Sequence, residues 1–148
     1  MPEQETVERA QEDEREGKSP STQAGEFVRE EIEHIREGKH GARSTKQAIA
    51  IGLSKARRAG VKLPPPKKAS ARTKKQAARD SRKGKTARRR KRSPTRSRAV
   101  RKALKREPRR AASHRALSRQ ARSVARRRTK ASLSRAAKKA ARTRKRNR

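Results

Sequence analysis

The sequence predicts an all-α protein in which a short αα-hairpin folds between an acidic disordered N-terminus and a long basic tail that is disordered or conditionally helical. Three observations support this fold class. Apolar residues make up 27% of the 148 residues and charged residues 43%, which leaves too few apolar side chains for a core along the whole chain. Large apolar residues recur at helical spacing within residues 22–63. From Lys67 onward, 37 bases accompany two acids.

The acidic segment comprises residues 1–21. The first 37 residues hold 12 acids and five bases, and Val7 is the only large apolar residue before Pro20 apart from the first Met. A loose helix over Glu3–Glu16 would have nothing to bury, so we expect disorder. Alternatively, the segment is an internal polyanion that competes with nucleic acid for the basic tail.

The hairpin mini-domain comprises residues 22–63. Gly38 and Gly41 mark its turn, and Ser44–Gln47 fits a capping box at the start of the second helix. That helix should run to about Ala59, with Gly60 as its stop. The predicted hairpin core consists of Phe27, Val28, Ile32, Ile35, Ile49, Ile51 and Leu53, with Val61 and Leu63 folding back onto it.

About 40 residues is below the size that usually folds unaided, so self-association through the hairpin is an expected partner interaction. A helix-turn-helix is the competing interpretation, because the second helix carries bases at Lys46, Lys55, Arg57 and Arg58. The sequence offers no third helix to brace the pair, which favours a scaffold or dimerisation hairpin over sequence-specific recognition.

The tail comprises residues 67–148 and follows a proline spacer at residues 64–66. Arg outnumbers Lys there by 24 to 13, and large apolar residues number only five. Self-repulsion should keep the free tail extended, and phosphate neutralisation should allow helices over His114–Arg127 and Lys130–Arg142. Pro94 and Pro108 should interrupt any helix in this region.

Two stretches resemble known proteins. The run Lys46-Gln47-Ala48-Ile49-Ala50-Ile51, followed by Leu53-Ser54-Lys55-Ala56-Arg57-Arg58-Ala59-Gly60, is similar to a small bacterial domain of unknown function over about residues 26–63. The resemblance implies no activity; Gly52 stands where that family more often has Ala, which would loosen the second helix. The tail, including Arg92-Ser93-Pro94-Thr95-Arg96, is similar in composition to the carboxy-terminal arms of linker histones and bacterial histone-like proteins.

Catalytic chemistry has little support in the sequence. The chain has no Cys and three His, so thiolate chemistry and thiolate metal sites are excluded. His34 lies near Glu30, Glu31 and Glu37 at helical spacing and could form an acid–base or metal pair, but a surface histidine on a charged helix is the simpler interpretation. We therefore predict no catalytic residue, no metal ligand, no cofactor and no small-molecule substrate.

The charge pattern predicts low-specificity binding of nucleic acid through phosphate neutralisation, with duplex DNA favoured over RNA. With a single aromatic residue, Phe27, stacking on single-stranded bases is disfavoured. The alternatives are an RNA- or ribosome-associated basic protein, and a protein-interaction hairpin with a localising tail. We expect a cytoplasmic, nucleoid-associated protein, nuclear in a eukaryote, without a membrane partner. The predicted phosphate-binding residues are Arg88, Arg89, Arg90, Lys91, Arg92, Arg96, Arg98, Arg101, Lys102, Arg109, Arg110, Arg126, Arg127, Arg128, Lys138, Lys139, Arg142, Arg144, Lys145 and Arg146.

Overall fold

The computed structural model describes residues 2–66, 68–85 and 93–146. Within these ranges it contains seven α-helices, one short 3-10 helix and no strand, so the all-α prediction is confirmed. The helices are α1 (Gln4–Arg15), α2 (Pro20–Arg36), α3 (Thr45–Arg58), α4 (Ala71–Lys85), α5 (Pro94–Arg106), the 3-10 helix (Arg109–Ala112), α6 (His114–Arg126) and α7 (Lys130–Arg146). None of the described helices combines the length and the apolar character needed to cross a bilayer.

The chain divides into two compact units, Met1–Ser113 and His114–Arg148. The first contains α1 to α5 and the 3-10 helix, and the second contains α6 and α7. The first unit therefore extends well beyond residue 63, where the sequence placed the end of the folded hairpin.

The predicted capping signals shape the α2–α3 hairpin. The Ser44 hydroxyl accepts a hydrogen bond from the backbone N–H of Gln47 at 3.2 Å, and the Gln47 side-chain oxygen accepts one from the backbone N–H of Arg43 at 2.8 Å. The serine half of the predicted capping box is therefore present, whereas Gln47 reaches back to the residue before the N-cap, Arg43, in place of Ser44 itself. At the other end, Ala59 caps α3 and Gly60 follows with φ +107°, which confirms the predicted glycine stop.

Small residues, more than large ones, form the face of α3 that packs on α2. Ala48, Gly52 and Ala56 are buried at a spacing of four residues. Of the predicted core, Phe27, Ile32 and Ile35 are buried, whereas Val28, Ile49, Ile51 and Leu53 are only partly buried. The sequence analysis weighted side-chain size, and the helices instead approach closely through small side chains.

Gly52 lies at a close approach of the two helices. A Cβ atom at this position would lie 2.7 Å from the Cα of Val28 and 2.9 Å from the carbonyl oxygen of Phe27. Both are backbone atoms that cannot turn aside. The glycine therefore permits helix packing in this chain, contrary to the expectation that it loosens the second helix.

Helix α1 braces the hairpin, although the sequence predicted disorder over residues 1–21. Ala10 belongs to the buried cluster with Ala24, Phe27 and Ala56, and Val7 packs against it. Thr6 and Asp13 are also buried on this face. The three buried residues of α1, Thr6, Ala10 and Asp13, recur at helical spacing, but none of the three is a large apolar residue. The sequence therefore shows no hydrophobic stripe that would predict the packing of α1. Val61 and Leu63 pack against the same cluster, as predicted.

The second unit contains two helices that bury none of their residues. Helix α6 ends one residue before the predicted Arg127, and α7 extends four residues beyond the predicted Arg142. The predicted interruptions also lie at helix boundaries, because Pro94 is the first residue of α5 and Pro108 precedes the 3-10 helix.

Candidate functional site

The exposed bases of the second unit form helical stripes. Arg115, Arg119, Arg122 and Arg126 are exposed and recur at i, i+4, i+7 and i+11 along α6, so they share one side of the helix. We call these four residues the arginine stripe. A different side carries Leu117, Ala121 and Val124, and the Val124 side chain is 41% exposed. Helix α6 thus separates guanidinium groups from its few apolar residues.

Helix α7 repeats the arrangement. Arg135, Lys139, Arg142 and Arg146 are exposed at the same spacing, and Lys138 flanks them. The remaining predicted bases, Arg127, Arg128, Arg144 and Lys145, are exposed as well. Residues 114–148 contain 15 Lys and Arg and no acid, so this unit cannot neutralise its own charge.

In the first unit, six predicted binding residues are described and all are exposed: Arg96, Arg98, Arg101 and Lys102 on α5, and Arg109 and Arg110 in the 3-10 helix. None of them forms an ion pair among the described residues. The predicted residues Arg88, Arg89, Arg90, Lys91 and Arg92 lie outside the described ranges.

Three of the four bases on α3 are buried or form ion pairs with acids of the same chain. Lys55 contacts Glu30 and Glu31, Arg58 contacts Asp80, and Arg57 is buried. Burial lowers the pKa of Arg57 against the opposing attraction of Asp80. Lys46 is exposed and forms no ion pair among the described residues, and Arg58 keeps 42% of its side chain exposed while it contacts Asp80. Although α1 and α4 supply the missing braces, α3 has few free bases with which to act as a recognition helix.

One of the two acids of the tail docks α4 onto α3. Asp80 is 1% exposed; one carboxylate oxygen accepts a hydrogen bond from the Ser54 hydroxyl at 2.6 Å and the other from Nε of Arg58 at 2.8 Å. Burial opposes the charged form, but these bonds and those from Gln76 outweigh it and lower the pKa of Asp80. Gly84 lets α4 approach closely, since a Cβ there would collide with the carbonyl oxygen of Arg57.

The second acid of the tail, Glu107, lies where the chain returns to the hairpin. Its carboxylate is 3.6 Å from the guanidinium of Arg43. Backbone acceptors of the 3-10 helix complete the contact: the Thr45 hydroxyl donates to the carbonyl of Ala111 at 2.7 Å, and Nε of Arg36 donates to that of Ala112 at 3.0 Å. Both tail acids are therefore contact points with the hairpin.

A buried charged cluster lies between α2 and α3. The side chains of Glu30 and Glu31 are 2% and 1% exposed, and the Lys55 ammonium lies 2.8 Å from an oxygen of each. Burial opposes the charge on Lys55, but the two carboxylates outweigh it and raise its pKa. Glu30 responds in the opposite sense: burial works to raise its pKa, yet Lys55 and the backbone N–H of Glu3 hold it below its usual range.

Two histidines adjoin this cluster. His34, on α2, has Nε2 2.7 Å from a carboxylate oxygen of Glu3 and Nδ1 3.8 Å from Glu30. His40, in the turn, has Nε2 3.3 Å from Glu31 and Nδ1 3.1 Å from the backbone carbonyl of Gly41. The rings meet edge to face with centroids 6.3 Å apart. The sequence analysis singled out His34 and Glu31 but not their proximity to His40.

Nine of the 12 acids in the first 37 residues form ion pairs among the described residues. Among the described residues, their ion pairs join bases no further along the chain than Lys62, which lies 3.2 Å from Glu14. Glu26 pairs with Arg9 across α1 and α2 at 3.1 Å. These contacts favour a folding role for the acidic segment over competition for the tail.

Some site residues were missed by sequence reasoning for identifiable reasons. The binding residues were chosen from dense runs of charge, so Arg115, Arg119, Arg122 and Arg135 were passed over although their 3.6-residue period was visible. Asp80 had a signal too, as a lone acid in a basic stretch. No sequence signal predicted the contact between Glu31 and His40, because this contact depends on how the turn between α2 and α3 folds.

Residues 4–69 match the sequence model of a protein family of unknown function, DUF6496. The N-terminal part of the chain thus contains a domain of unknown function, as the resemblance suggested, and this domain begins with α1. No curated protein and no solved structure matches the chain.

Proposed function

We propose that this protein binds nucleic acid, duplex DNA foremost, without catalysis and with low sequence specificity, in the manner of a histone-like nucleoid protein. The observation that carries the proposal is the second unit, where 15 bases occur without one acid and the helices expose their Arg and Lys in stripes. Such a surface requires polyanionic counter-charge, and phosphate backbones supply it at regular spacing.

The amount of charge suits a duplex. Double-stranded DNA carries one charge per about 1.7 Å of axis, so 15 bases match about 25 Å of duplex. The arginine stripe extends over about 16 Å, since it spans 11 steps of about 1.5 Å along α6. A helix with guanidinium groups along one side can therefore follow a phosphate backbone.

Low specificity follows from the same side chains. Arg and Lys contacts to phosphate position a protein but carry no sequence information. The guanidinium group adds bidentate geometry and attraction to narrow minor grooves, which respond to shape more than to base identity. The exposed bases of α5 and the 3-10 helix, with Arg96 and Arg109 as examples, would add contacts of the same kind.

The test is a salt titration of the full-length protein, freed of bound nucleic acid, against labelled duplexes of unrelated sequence by fluorescence anisotropy. We expect similar affinities for all duplexes and a steep linear fall of log affinity with log salt, by about 0.9 per phosphate neutralised. A flat salt response, or a strong preference for one duplex sequence, would contradict the proposal. A clear preference for structured RNA in competition would replace duplex DNA as the partner.

The arginine stripe provides a sharper test with a charge-matched control. Changing Arg115, Arg119, Arg122 and Arg126 to Gln should weaken duplex binding at least about tenfold and reduce the salt slope by about 3 to 4. Changing the same four residues to Lys keeps the charge and should preserve most of the slope. Equal losses in both variants would show that charge is not what binds.

A further inference from the structure

The hydrogen-bond partners of His34 and His40 determine which ring nitrogens carry lone pairs. Nε2 of His34 faces a carboxylate oxygen of Glu3 at 2.7 Å, and Nδ1 of His40 faces the carbonyl oxygen of Gly41 at 3.1 Å. Both oxygens only accept hydrogen bonds, so these two nitrogens are donors. In the neutral rings, the lone pairs consequently lie on Nδ1 of His34 and Nε2 of His40.

The remaining nitrogens face further acceptors. Nε2 of His40 is 3.3 Å from Oε1 of Glu31, and Nδ1 of His34 is 3.8 Å from Oε1 of Glu30. Glu31 is 1% exposed; its Oε2 lies 2.8 Å from the Lys55 ammonium, whereas its Oε1 accepts no hydrogen bond among the described residues. A buried carboxylate opposite lone pairs is unfavourable unless a proton or a metal cation lies between them, and a metal cation is able to satisfy Glu31 and both rings at once.

We propose that Glu31, His34 and His40 bind a divalent first-row transition-metal ion, Zn²⁺ foremost. One oxygen of Glu31 and one ring nitrogen of each histidine lie within 4.8 Å of one another. Ligands at about 2.0–2.1 Å from a tetrahedral zinc are separated by about 3.3 Å, the separation already present between Glu31 and His40. The longest separation needs to shorten by about 1.5 Å, which rotation of the histidine side chains can supply.

The surroundings have the character of a metal site. Histidines that ligate metals generally donate their other N–H to a carboxylate or a backbone carbonyl, as His34 does to Glu3 and His40 does to Gly41. The local charges also favour a dication, since among the described residues the carboxylates of Glu3, Glu30 and Glu31 face two ammonium groups, those of Lys39 and Lys55, and Lys39 is shared with Glu37. Imidazole with one carboxylate suits zinc and its neighbours better than Mg²⁺ or Ca²⁺.

The bound ion would have a structural role. It would join α2, through Glu31 and His34, to the turn that precedes α3, through His40, and would strengthen the hold of His34 on the N-terminal residue Glu3. This inference is independent of the proposed nucleic-acid function, because the tail contributes no ligand.

The experiment uses the full-length protein, stripped of nucleic acid in high salt and of metal with a chelator. Titration with zinc chloride by calorimetry should give one saturable equivalent and a higher melting temperature, and Co²⁺ should give a visible d–d absorption band. Magnesium chloride in excess should not compete. Absence of saturable zinc binding by the folded protein would overturn the proposal.

His114 provides the matched control, since it is exposed on α6 and lies outside the cluster. His40→Asn and Glu31→Gln should each weaken zinc binding at least about tenfold, whereas His114→Asn should leave it unchanged. Circular dichroism of each apo variant tests whether the helices persist; because His40 lies in the turn, its variant remains informative if Glu31→Gln unfolds. Unchanged binding in folded His40→Asn, or an equal loss in His114→Asn, would overturn the assignment.

A direct readout is the ¹H–¹⁵N long-range spectrum of the histidine rings. Zinc should shift Nδ1 of His34 and Nε2 of His40 and leave both nitrogens of His114 unmoved. Shifts of all three rings together, or of none, would show that zinc does not bind at the cluster.

Discussion

In the unit Met1–Ser113, 34 Lys and Arg share the sequence with all 14 acids, whereas residues 114–148 carry 15 Lys and Arg and no acid. Where acids are available, bases become part of the fold: Lys55 is largely buried between Glu30 and Glu31, and Arg58 holds Asp80. Where acids are absent, bases stay exposed, as Lys138 and Arg142 do on α7.

This comparison teaches that net charge alone does not identify the binding residues of such a protein. Lys55 and Lys138 are the same residue type, and both lie within α-helices. The first is held by two buried carboxylates and is unavailable to a ligand, while the second has no acid in its unit. Availability of a carboxylate partner decides whether a base stabilises the fold or remains free for phosphate.

The largest expected effect comes from removing the acid-free unit. A chain ending at Ser113 should bind duplex DNA about a hundredfold more weakly than the intact chain at moderate salt, with a smaller salt slope, because 15 bases are lost. Fluorescence anisotropy measures the affinity, and circular dichroism should show cooperative melting of the shortened chain. Affinity within about threefold of the intact protein would mean that binding resides in the first unit.

A second test removes the ammonium group from the buried cluster. Lys55→Met leaves Glu30 and Glu31 buried without their counter-charge, so the free energy of unfolding should fall by about 3 kcal/mol or more. Urea denaturation in the presence of a chelator measures this without a contribution from bound cations.

Lys46→Met is the control on the same helix. Lys46 is exposed, so its replacement should change the free energy of unfolding by less than about 0.5 kcal/mol. Similar effects of the two substitutions would contradict the distinction between bases that hold the fold and bases that are free.

A third test undocks α4. Asp80→Asn removes the charged partner of Arg58 and should cost about 2 kcal/mol of unfolding free energy, with faster amide exchange in residues 71–85. Glu107→Gln should cost only about 0.5 kcal/mol, because the Glu107 side chain is 25% exposed and lies 3.6 Å from Arg43. Equal costs would mean that burial does not set the strength of these contacts.

The pH dependence of the free energy of unfolding tests the Asp80–Arg58 contact independently. The pKa values of Asp80 and Glu30 are lowered in the fold, so their contributions are present above the unfolded value of about 4 and are lost as the pH falls through the folded pKa. The pKa of Lys55 is raised, so its contribution is lost only as the pH rises above about 10.4. Asp80→Asn should therefore show a shallower loss of stability in acid than the unaltered protein.

The hairpin was predictable because its signals are local. A serine cap, a glycine stop and apolar residues at helical spacing act within one or two turns, and the structure confirms Ser44, Gly60 and the burial of Phe27. The bracing by α1 was not predictable, because it depends on small residues such as Ala10 that form apolar contacts only beside a partner helix. For α4, the sequence shows Asp80 as an isolated acid but does not show that Arg58 on another helix is its partner.

The two candidate sites also differ in how far the sequence alone predicts them. The exposed bases follow from composition, and the arginine stripe follows from a period that one helix fixes by itself. The histidine cluster joins Glu31 to His40 across a turn, where no sequence spacing predicts that side chains meet. Local rules therefore predict the exposed bases of the proposed nucleic-acid interface better than they predict the proposed metal ligands.

Alanine substitutions at Gly25 in α2 and Gly52 in α3 should change the stability of the hairpin in opposite directions. Gly52→Ala should lower the free energy of unfolding by about 1–3 kcal/mol, because the added methyl group would meet the α2 backbone at Val28, 2.7 Å away. Gly25→Ala, within α2, should raise it by up to about 1 kcal/mol, because nothing lies within 4 Å of the new Cβ and alanine is the better helix former. Urea denaturation measures the change in the free energy of unfolding for each variant, and the two changes should have opposite signs if close packing determines how α2 and α3 cross. Stabilisation by both substitutions would show that α3 does not approach α2 this closely.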